Sequence, residues 1–402
     1  MSKRRDGWLM AGAMFGLTVA AACLAQIPPS MPALRWDASK VGNHRYLVQV
    51  TKSADAVHVL IPWRRRDAHP DQVAVIVTAP DGSVVSNVVR GAINQASGEL
   101  VFAAKQSGIY AIYYQPYISD GRRNYPTVNY AAPKDSADPA WVKKIGSESS
   151  AWKHLPQAQV LRYEAVDDFD AYTDMERTAT LQELQHLLAT NADSSLLLFP
   201  ETRAHPVRMF DQMPERWAVR GAGGELVDTV QRGEYLSFQV GLWAPHAAVN
   251  DVKVGLADLH DPDGAIIPAS ALTCFNLGGV DYAGQPFTAH VDVGQGRVQP
   301  LWMGLDVPVD AKPGVYRGEL TVRANGVSPQ KVPLVITVAA GNAIAHGDDD
   351  PAKLTRLRWL NSRIAQDDTL VKPFTAITVN GGRLGILGRE ITLASNGLPS
   401  TI

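Results

Sequence analysis

The stretch at residues 300–322, PLWMGLDVPVDAKPGVYRGELTV, constrains most strongly what this chain can fold into. Apolar side chains alternate with others at 301–307, which is the period of a strand with one face on a core. The turn sequence KPG follows, and the alternation then resumes. An NG turn at 325–326 leads to a third apolar run at 332–338. We therefore predict a three-strand antiparallel meander that closes a β-sandwich.

The composition extends this prediction to the whole chain. The 402 residues are 46% hydrophobic, which is enough for real cores, and 33 Gly and 26 Pro indicate many turns and short strands. The predicted fold class is mostly β, with two consecutive antiparallel β-sandwich domains, a helical connector and the start of a further β-region. The formal net charge of −2 provides no field that would attract nucleic acid, so we expect no nucleic-acid partner.

Residues 1–25 have the pattern of a signal peptide. Basic residues at 3–5 precede an apolar run at 8–22 that is too short for a comfortable membrane span. Small residues before Cys23 and at Ala25 provide cleavage sites. We predict an exported protein, periplasmic or extracellular, which is anchored to a membrane only if Cys23 is lipidated.

Turn-rich and polar stretches divide the remainder into predicted domains. The apolar runs of the first domain have the spacing of a sandwich, and the polar stretch that follows it is typical of a connector. The predicted divisions are a first β-sandwich at 31–120, a connector at 121–195, a second β-sandwich at 196–340, a linker with a short helix at 341–373, and the start of a further β-domain at 374–402. The last piece has too few strands for a core of its own, which favours a truncated chain.

One helix is predicted inside the connector, at about 173–191. Thr173 and Glu176 have the spacing of a capping box, and leucines at 181, 184, 187 and 188 recur at helical spacing. We expect the leucine stripe to pack against a β-domain.

Five polar residues crowd an otherwise apolar segment and form the first candidate site: Glu201, Arg203, His205, Arg208 and Asp211. Two acids near a histidine can support acid–base chemistry, and Glu201 with Asp211 can be imagined as a glycosidase pair. Arginines this close, however, keep carboxylates ionised, which favours an interdomain ion-pair network over catalysis. His205 has no second histidine at ligand spacing, so we predict no metal site, no cofactor and no catalytic residue.

A second candidate site is a polar ledge for glycan contact formed by Trp63, Arg64, Arg65 and Tyr114. Guanidinium groups both stack on aromatic rings and form paired hydrogen bonds with carboxylates, and aromatic rings offer apolar faces. The alternative is a solvated loop in which the arginines pair with Asp67 and Asp71, and this alternative is favoured because charges on loops are usually solvated.

Several stretches together resemble the N-terminal half of large exported bacterial proteins similar to glycoside hydrolase family 123. They are FPETRAHPVRM at 199–209, the predicted meander, LTRLRWLNSRIAQDD at 354–368 and LGREITLASNGLP at 387–399. The resemblance implies N-terminal β-sandwiches ahead of a TIM barrel. In that family, neighbouring Asp and Glu residues of the barrel cleave an N-acetyl-hexosaminide with help from the acetamido group of the substrate.

Nothing in this sequence matches the strand–helix repeats of that barrel, so no catalytic residue is carried over. The resemblance therefore implies a non-catalytic portion of a glycoside hydrolase-like protein, whose partner is a catalytic domain absent from this chain. Two alternatives remain open. One is a carbohydrate-binding or adhesion module with a glycan as its partner, and the other is a glycosidase that acts through Glu201 and Asp211.

Overall fold

The computed structural model describes residues 31–32, 36–122, 124–146, 149–362 and 370–402. The predicted signal peptide and Cys23 lie outside these residues. The chain divides into two compact units: unit 1 comprises the chain up to Trp63 together with Asp67–Tyr172, and unit 2 comprises Arg64–Arg66 together with Thr173–Ile402. Within the described residues, every helix is too short or too polar to cross a membrane.

The described residues of unit 1 form ten strands, three short α-helices and one 3-10 turn. The strands are β1 (Met31–Pro32), β2 (His44–Val50), β3 (Ala54–Ile61), β4 (Ile76–Thr78), β5 (Val88–Ile93), β6 (Gly98–Ala104), β7 (Gly108–Tyr113), β8 (Tyr117–Arg122), β9 (Tyr125–Tyr130) and β10 (Gln159–Ala165). The helices are α1 (Ala38–Val41), α2 (Pro139–Ile145) and α3 (Ser149–Trp152).

Two sheets of unit 1 enclose a common core. One has the order β1-β10-β2-β7-β4 and the other the order β3-β6-β5, while β8 and β9 form a separate hairpin. Strand alternation places Val48 and Ile112 of the first sheet in one buried cluster with Val59 and Phe102 of the second. This arrangement is a β-sandwich.

Unit 1 extends further along the chain than the predicted boundary at residue 120. Strand β10 lies in the predicted connector, yet it pairs with β2 inside the first sheet. Tyr163 and Ala165 reach the core, while Arg162 and Glu164 point to the opposite face, where Glu164 binds Arg45 with an N–O distance of 2.6 Å. Charged residues on the outer face of β10 concealed the apolar alternation on its inner face.

Among its described residues, unit 2 contains sixteen strands, two α-helices and five short 3-10 turns. The first strands are β11 (Leu197–Thr202), β12 (Leu226–Arg232), β13 (Tyr235–Trp243), β14 (Lys253–Leu256), β15 (Leu259–His260), β16 (Ile266–Ile267), β17 (Leu272–Cys274), β18 (Gly278–Val280) and β19 (Pro286–Thr288). They are followed by β20 (Val298–Asp306), β21 (Gly314–Ala324), β22 (Val327–Asn342), β23 (Thr378–Asn380), β24 (Arg383–Ile386), β25 (Arg389–Leu393) and β26 (Pro399–Thr401). The helices are α4 (Leu181–Thr190) and α5 (Glu215–Arg220).

Unit 2 has three layers. A sheet of order β11-β13-β20-β17 packs on a larger sheet that contains β12, β22, β21, β15 and β16, with β14 paired to β21. Leu236 and Leu301 of the first sheet share a core with Tyr316 and Ile336 of the second. Helices α4 and α5 cover the other face of the first sheet, so all nine residues of β13 are buried.

The predicted meander is partly right. Strands β21 and β22 form the predicted antiparallel hairpin. Strand β20, however, pairs with β13 and β17, so the chain crosses from one sheet to the other between β20 and β21. The connection of seven residues at 307–313 is longer than a tight hairpin turn, and this length permits the crossing. The predicted fold class, mostly β with several antiparallel sheets, is confirmed.

The connector helix begins later than predicted. Thr180 caps α4 through a complete capping box with Glu183, whereas Thr173 and Glu176 close only a local turn. The sequence contains two T-x-x-E patterns seven residues apart, and only the second is followed directly by the leucine stripe. Leu187 of this stripe is buried in the layer between helix and sheet.

Strands β23 to β26 form an antiparallel sheet of their own. Its register aligns Val379, Leu384 and Ile391 across three strands, which places one aliphatic residue of each strand on the same face. Thr378, Gly385 and Glu390 align on the opposite face, which is polar. The aliphatic row is half-buried or exposed in the described part of the chain, so this sheet is amphipathic but not enclosed in a core.

Candidate functional site

Strand β11 carries Glu201 to the interface between sheet and helices. Because side chains alternate along a strand, Leu197, Phe199 and Glu201 share the face that α5 covers. The ring of Phe199 stacks on Trp217 of α5, with 4.5 Å between ring centroids and an interplanar angle of 4°. The acid that the sequence singled out therefore lies beneath a helix and is only 2% exposed.

Three side chains of α5 bind the Glu201 carboxylate. Arg216 donates from Nε at 3.1 and 3.3 Å, Trp217 donates from its indole N–H at 2.8 Å, and Nη1 of Arg220 lies 2.8 Å from Oε1. Arg216 and Arg220 are one helical turn apart and thus share a face. Arg216 also reaches Asp174 at 3.1 Å. Neither arginine belongs to the predicted cluster, although their spacing of four residues in ERWAVR indicates a common face.

Two other residues of the predicted cluster bind separate partners. Arg203 donates to Glu234 at 2.6 Å, and Glu234 is only 1% exposed. Arg208 lies 3.6 Å from Glu176 and is half-exposed. Each of these arginines is thus occupied by an acid that lies outside the predicted segment.

The last two residues of the cluster also differ in their surroundings. Asp211 pairs with Arg297 on an exposed surface, and His205 Nδ1 lies 4.0 Å from Glu201. The predicted ion-pair network is therefore a set of separate pairs. The prediction that it is interdomain is wrong for these pairs, because all the partners named belong to unit 2.

A second buried pair joins Arg64 to α4. Its guanidinium donates to both oxygens of Glu183, at 2.6 and 2.8 Å, and Nε lies 3.6 Å from Glu215, which Arg177 also binds at 2.6 Å. Arg64 has a φ of +45°, an uncommon value for a residue other than glycine. Such a conformation persists when several contacts determine it, and here the paired hydrogen bonds do so.

Hydrogen bonding controls the ionisation of Glu183. Burial raises the pKa of its carboxyl, but the hydrogen bonds from Arg64 and from the Thr180 N–H outweigh burial, so the pKa lies below its ordinary value. Glu183 thus combines two tasks, as the N3 partner of the capping box and as the counter-charge of Arg64. Such a carboxylate is suited to structural pairing rather than to proton donation.

The candidate glycan ledge is buried rather than exposed. Trp63 is 1% exposed, Arg64 6%, Arg65 1% and Tyr114 0%. Within unit 1, Trp63 packs on Tyr114 with ring centroids 5.5 Å apart and donates its indole N–H to the Asn94 carbonyl at 2.8 Å. None of these side chains presents a ring or guanidinium face to a glycan. The solvated-loop alternative is also wrong for Arg64, whose carboxylate partners are Glu183 and Glu215.

A large cleft lies within unit 1 where both sheets end. Its volume is about 1060 Å³, and its wall includes residues of the edge strands β4 and β5 and of α2. Val77, Val89 and Val142 make much of this wall aliphatic. Arg90 of β5 donates to the carbonyl oxygens of Asp71 and Val73, both at 3.0 Å.

The described residues contain no group of three or more His, Cys, Asp or Glu side chains placed to hold a metal ion. Cys274, at the end of β17, is a free thiol, and burial raises its pKa to about 11. A thiol with this pKa is almost wholly protonated at neutral pH and is a poor nucleophile.

One part of the chain is similar to a domain associated with glycoside hydrolases. Residues 34–166 match the family model of the glycoside hydrolase 123 N-terminal domain. The resemblance to the N-terminal region of that family is thereby confirmed. Apart from Arg64–Arg66, the matched range belongs to unit 1, and it lies outside the four stretches on which the resemblance rested in the sequence. No curated protein matches this sequence.

Solved structures give only remote likenesses. A family 123 glycoside hydrolase from Clostridium perfringens is 15% identical, with 37% of this chain and 27% of that chain covered and a TM-score of 0.28. A PapD-like domain of human CEP192 is 11% identical over 30% of this chain and 84% of that chain, with a TM-score of 0.21. A Porphyromonas gingivalis protein of unknown function is 11% identical over 77% and 94%, with a TM-score of 0.19. This chain therefore spans about a quarter of the length of the hydrolase, and none of these TM-scores supports a conclusion about function.

Proposed function

We propose that this chain is the non-catalytic β-sandwich portion of an exported glycoside hydrolase-like protein. It supports or docks on a catalytic barrel that lies outside these 402 residues. The observation that carries the proposal is the match of residues 34–166 to the N-terminal domain of glycoside hydrolase family 123. In the resemblance stated above, such sandwiches precede the barrel and do not supply its catalytic acids.

The surroundings of the candidate acids support a non-catalytic role. A glycosidase pair needs one carboxyl group that holds a proton and a second that stays ionised beside the same glycosidic bond. Glu201 is instead buried against two guanidinium groups and an indole N–H. Asp211 forms an exposed ion pair with Arg297. The two acids thus bind different cations, Glu201 those of α5 and Asp211 that of Arg297.

The activity of the purified full chain tests this part of the proposal. We expect no release of nitrophenol from 4-nitrophenyl N-acetyl-β-glucosaminide above the rate in buffer. Hydrolysis that disappears in both Glu201→Gln and Asp211→Asn, while each variant keeps its circular dichroism spectrum, would instead establish the glycosidase alternative.

The partnership with a barrel is tested by the coding DNA and by binding. We expect the reading frame that contains this chain, or a neighbouring frame, to encode alternating strand–helix units. The barrel so identified, produced separately, should bind the chain in a titration calorimeter. A frame without such units in either place would contradict the proposed partnership.

Export is the remaining part of the proposal. Its support is the basic, apolar and small-residue order of residues 1–25. Mass spectrometry of the protein isolated from its native cells should find a chain that begins after Ala22 or Ala25, with added lipid mass only if it begins at Cys23. A cytoplasmic protein that retains Met1 would exclude export.

A further inference from the structure

A small pocket in unit 2 lies where the segment after β22 packs on the first sheet. Its volume is about 280 Å³, just below the range of about 300–1,000 Å³ typical of sites for drug-sized ligands. It is lined by Trp302, Asp348, Asp350, Pro351, Leu354, Thr355, Arg356 and Leu357. This lining combines an aromatic ring with carboxylates and a guanidinium, which is the mixture of an apolar wall and a few polar groups that fixes a small ligand.

Hydrogen bonds and an ion pair hold the wall of this pocket in place. Ser237 of β13 donates its hydroxyl to the Leu354 carbonyl at 2.7 Å, and Lys353 lies 3.4 Å from the buried carboxylate of Glu234. Leu354 lines the pocket in a left-handed conformation, with φ +55° and ψ +24°. A bulky residue held in this region is strained, and such strain clusters at ligand sites.

The two lining aspartates have different tasks. Asp348 accepts two hydrogen bonds from Arg358, at 2.5 and 2.7 Å, and one from the Thr355 hydroxyl at 2.7 Å. These bonds, chiefly those from Arg358, hold the pKa of Asp348 well below its usual range, so this carboxylate positions the wall as a fixed anion. Asp350 accepts only the Ala352 N–H, through Oδ1, among the described residues. Its second oxygen is thus available to a ligand.

The pocket also contains a cation, Arg356, that makes no ion pair with an acid in the described part of the chain. Its Cζ lies 5.2 Å from the ring centroid of the exposed Trp359. Asp350 can accept hydrogen bonds, Arg356 can donate them, and the ring of Trp302 offers an apolar face. The lining residues carry two carboxylates and one guanidinium, a net charge of −1, which disfavours an anionic ligand.

We propose that this pocket binds one pyranose unit of a neutral glycan. A pyranose has an apolar face of C–H groups that packs on an aromatic ring, and a rim of hydroxyl groups that both donate and accept hydrogen bonds. Trp302 packs on the ring, Asp350 accepts from ring hydroxyls, and Arg356 donates to them. The volume accommodates a single sugar unit rather than a chain, so the rest of the glycan projects into solvent.

The cleft of unit 1 is less suited to this ligand. It is larger, but none of its described lining residues is aromatic, so it offers no ring on which a sugar could stack. The saccharide pocket lies outside residues 34–166, the range whose family match carries the proposed function. Failure of the binding test below would therefore leave the proposed function unaffected.

Titration of the full chain with methyl glycosides tests the inference. The probes are methyl β-glucoside, methyl β-galactoside and methyl N-acetyl-β-glucosaminide, and binding is read by saturation-transfer NMR and calorimetry. We expect at least one of them to bind. Asp350→Asn and Arg356→Gln should each weaken it about tenfold, the loss of one charge-assisted hydrogen bond. Trp302→Leu should weaken it about fivefold to tenfold, because stacking on the ring is lost.

Asp349→Asn is the matched control, since Asp349 is the exposed neighbour of Asp350 and does not line the pocket. It should leave the affinity unchanged. Asn caps a helix as well as Asp does, so Asp350→Asn preserves the local turn, and an unchanged circular dichroism spectrum verifies this. The inference is overturned if none of the three glycosides binds, or if binding survives in the folded Asp350→Asn and Trp302→Leu variants.

Discussion

At the scale of single residues, the neighbours of a carboxylate decide what it can do. Glu201 illustrates this, because its two oxygens are shared by Arg216, Arg220 and Trp217. Removal of one member of a buried ion pair leaves the remaining charge uncompensated, which costs about 3–5 kcal/mol where the pair is fully buried. Both arginines here retain some contact with water, so the cost is smaller.

We predict that Glu201→Gln lowers the free energy of unfolding by about 2–3 kcal/mol, as measured by urea denaturation. The neutral amide can still accept the hydrogen bond from the Trp217 indole, so the loss of stability measures the effect of removing the negative charge. Asp211→Asn is the control, since its partner Arg297 is exposed, and it should change stability by less than about 1 kcal/mol. Equal effects of the two substitutions would show that burial of Glu201 has no energetic consequence.

The lowered pKa of Glu183 gives a prediction about pH. A carboxyl group whose folded-state pKa is lowered contributes stability that is complete above the unfolded pKa of about 4.3 and is lost as the pH falls through the folded value. Glu183→Gln keeps the capping box but removes this titration. The variant should be less stable than wild type at neutral pH, and it should lose less stability on acidification from about pH 6 to about pH 3. Parallel pH profiles of unfolding free energy would contradict the assignment.

Sequence reasoning identified the chemistry of these residues better than their location. It anticipated that the arginines near Glu201 would neutralise acids, because that follows from local density of charge. It did not anticipate that Arg64 would be buried, since burial depends on Glu183, which lies over a hundred residues away along the chain. The two members of a buried ion pair can lie far apart along the chain, and a single sequence contains no direct signal that they will meet.

At the scale of elements, a capping motif acts only when an apolar stripe follows it. We predict that Thr180→Ala lowers the free energy of unfolding by about 1 kcal/mol, because α4 loses its N-cap. Thr173→Ala, in the other T-x-x-E pattern, is the matched control and should cost less than about 0.5 kcal/mol, since Thr173 is exposed and precedes no helix. Thermal or urea unfolding measures both, and a larger loss at Thr173 would contradict this account.

The amphipathic sheet of β23 to β26 gives a second prediction for an element. Exposed aliphatic faces bind hydrophobic dyes, so the native protein should enhance the fluorescence of anilinonaphthalene sulfonate. Val379→Lys should reduce this signal and change stability by less than about 0.5 kcal/mol, because Val379 is 70% exposed. Thr378→Lys, on the polar face of the same strand, should leave the fluorescence unchanged. Dye binding that is insensitive to both substitutions would place the apolar surface elsewhere.

The sequence pattern predicts where strands occur, but it does not predict which sheet each strand joins. The alternation that defines β20 and β21 is a local property, and both strands occur as expected. Whether the chain between them turns within one sheet or crosses to the other depends on the core that both sheets share. Strand β10 makes the same point, since its pairing with β2 joins residues far apart in sequence.

At the scale of the whole molecule, the balance of charge limits the classes of partner. The chain has 38 basic and 40 acidic residues, and a net charge of −2 attracts polyanions only weakly. We predict that the full protein passes through a heparin column at about 0.1 M salt, where the Debye length is about 10 Å. Firm retention that weakens as salt is added would reveal a local basic surface and contradict this expectation.

The assignment of Arg64–Arg66 to unit 2 has a consequence for any attempt to separate the two halves of this polypeptide. A gene cut ahead of Thr173 discards the guanidinium that Glu183 and Glu215 share, so in the released piece these two acids have lost their common cation. Each unit has its own core, but unit 2 includes Arg64–Arg66, which lie in the sequence between two segments of unit 1. Recombination that transferred unit 2 to another protein would therefore have to transfer Arg64–Arg66 together with Thr173–Ile402.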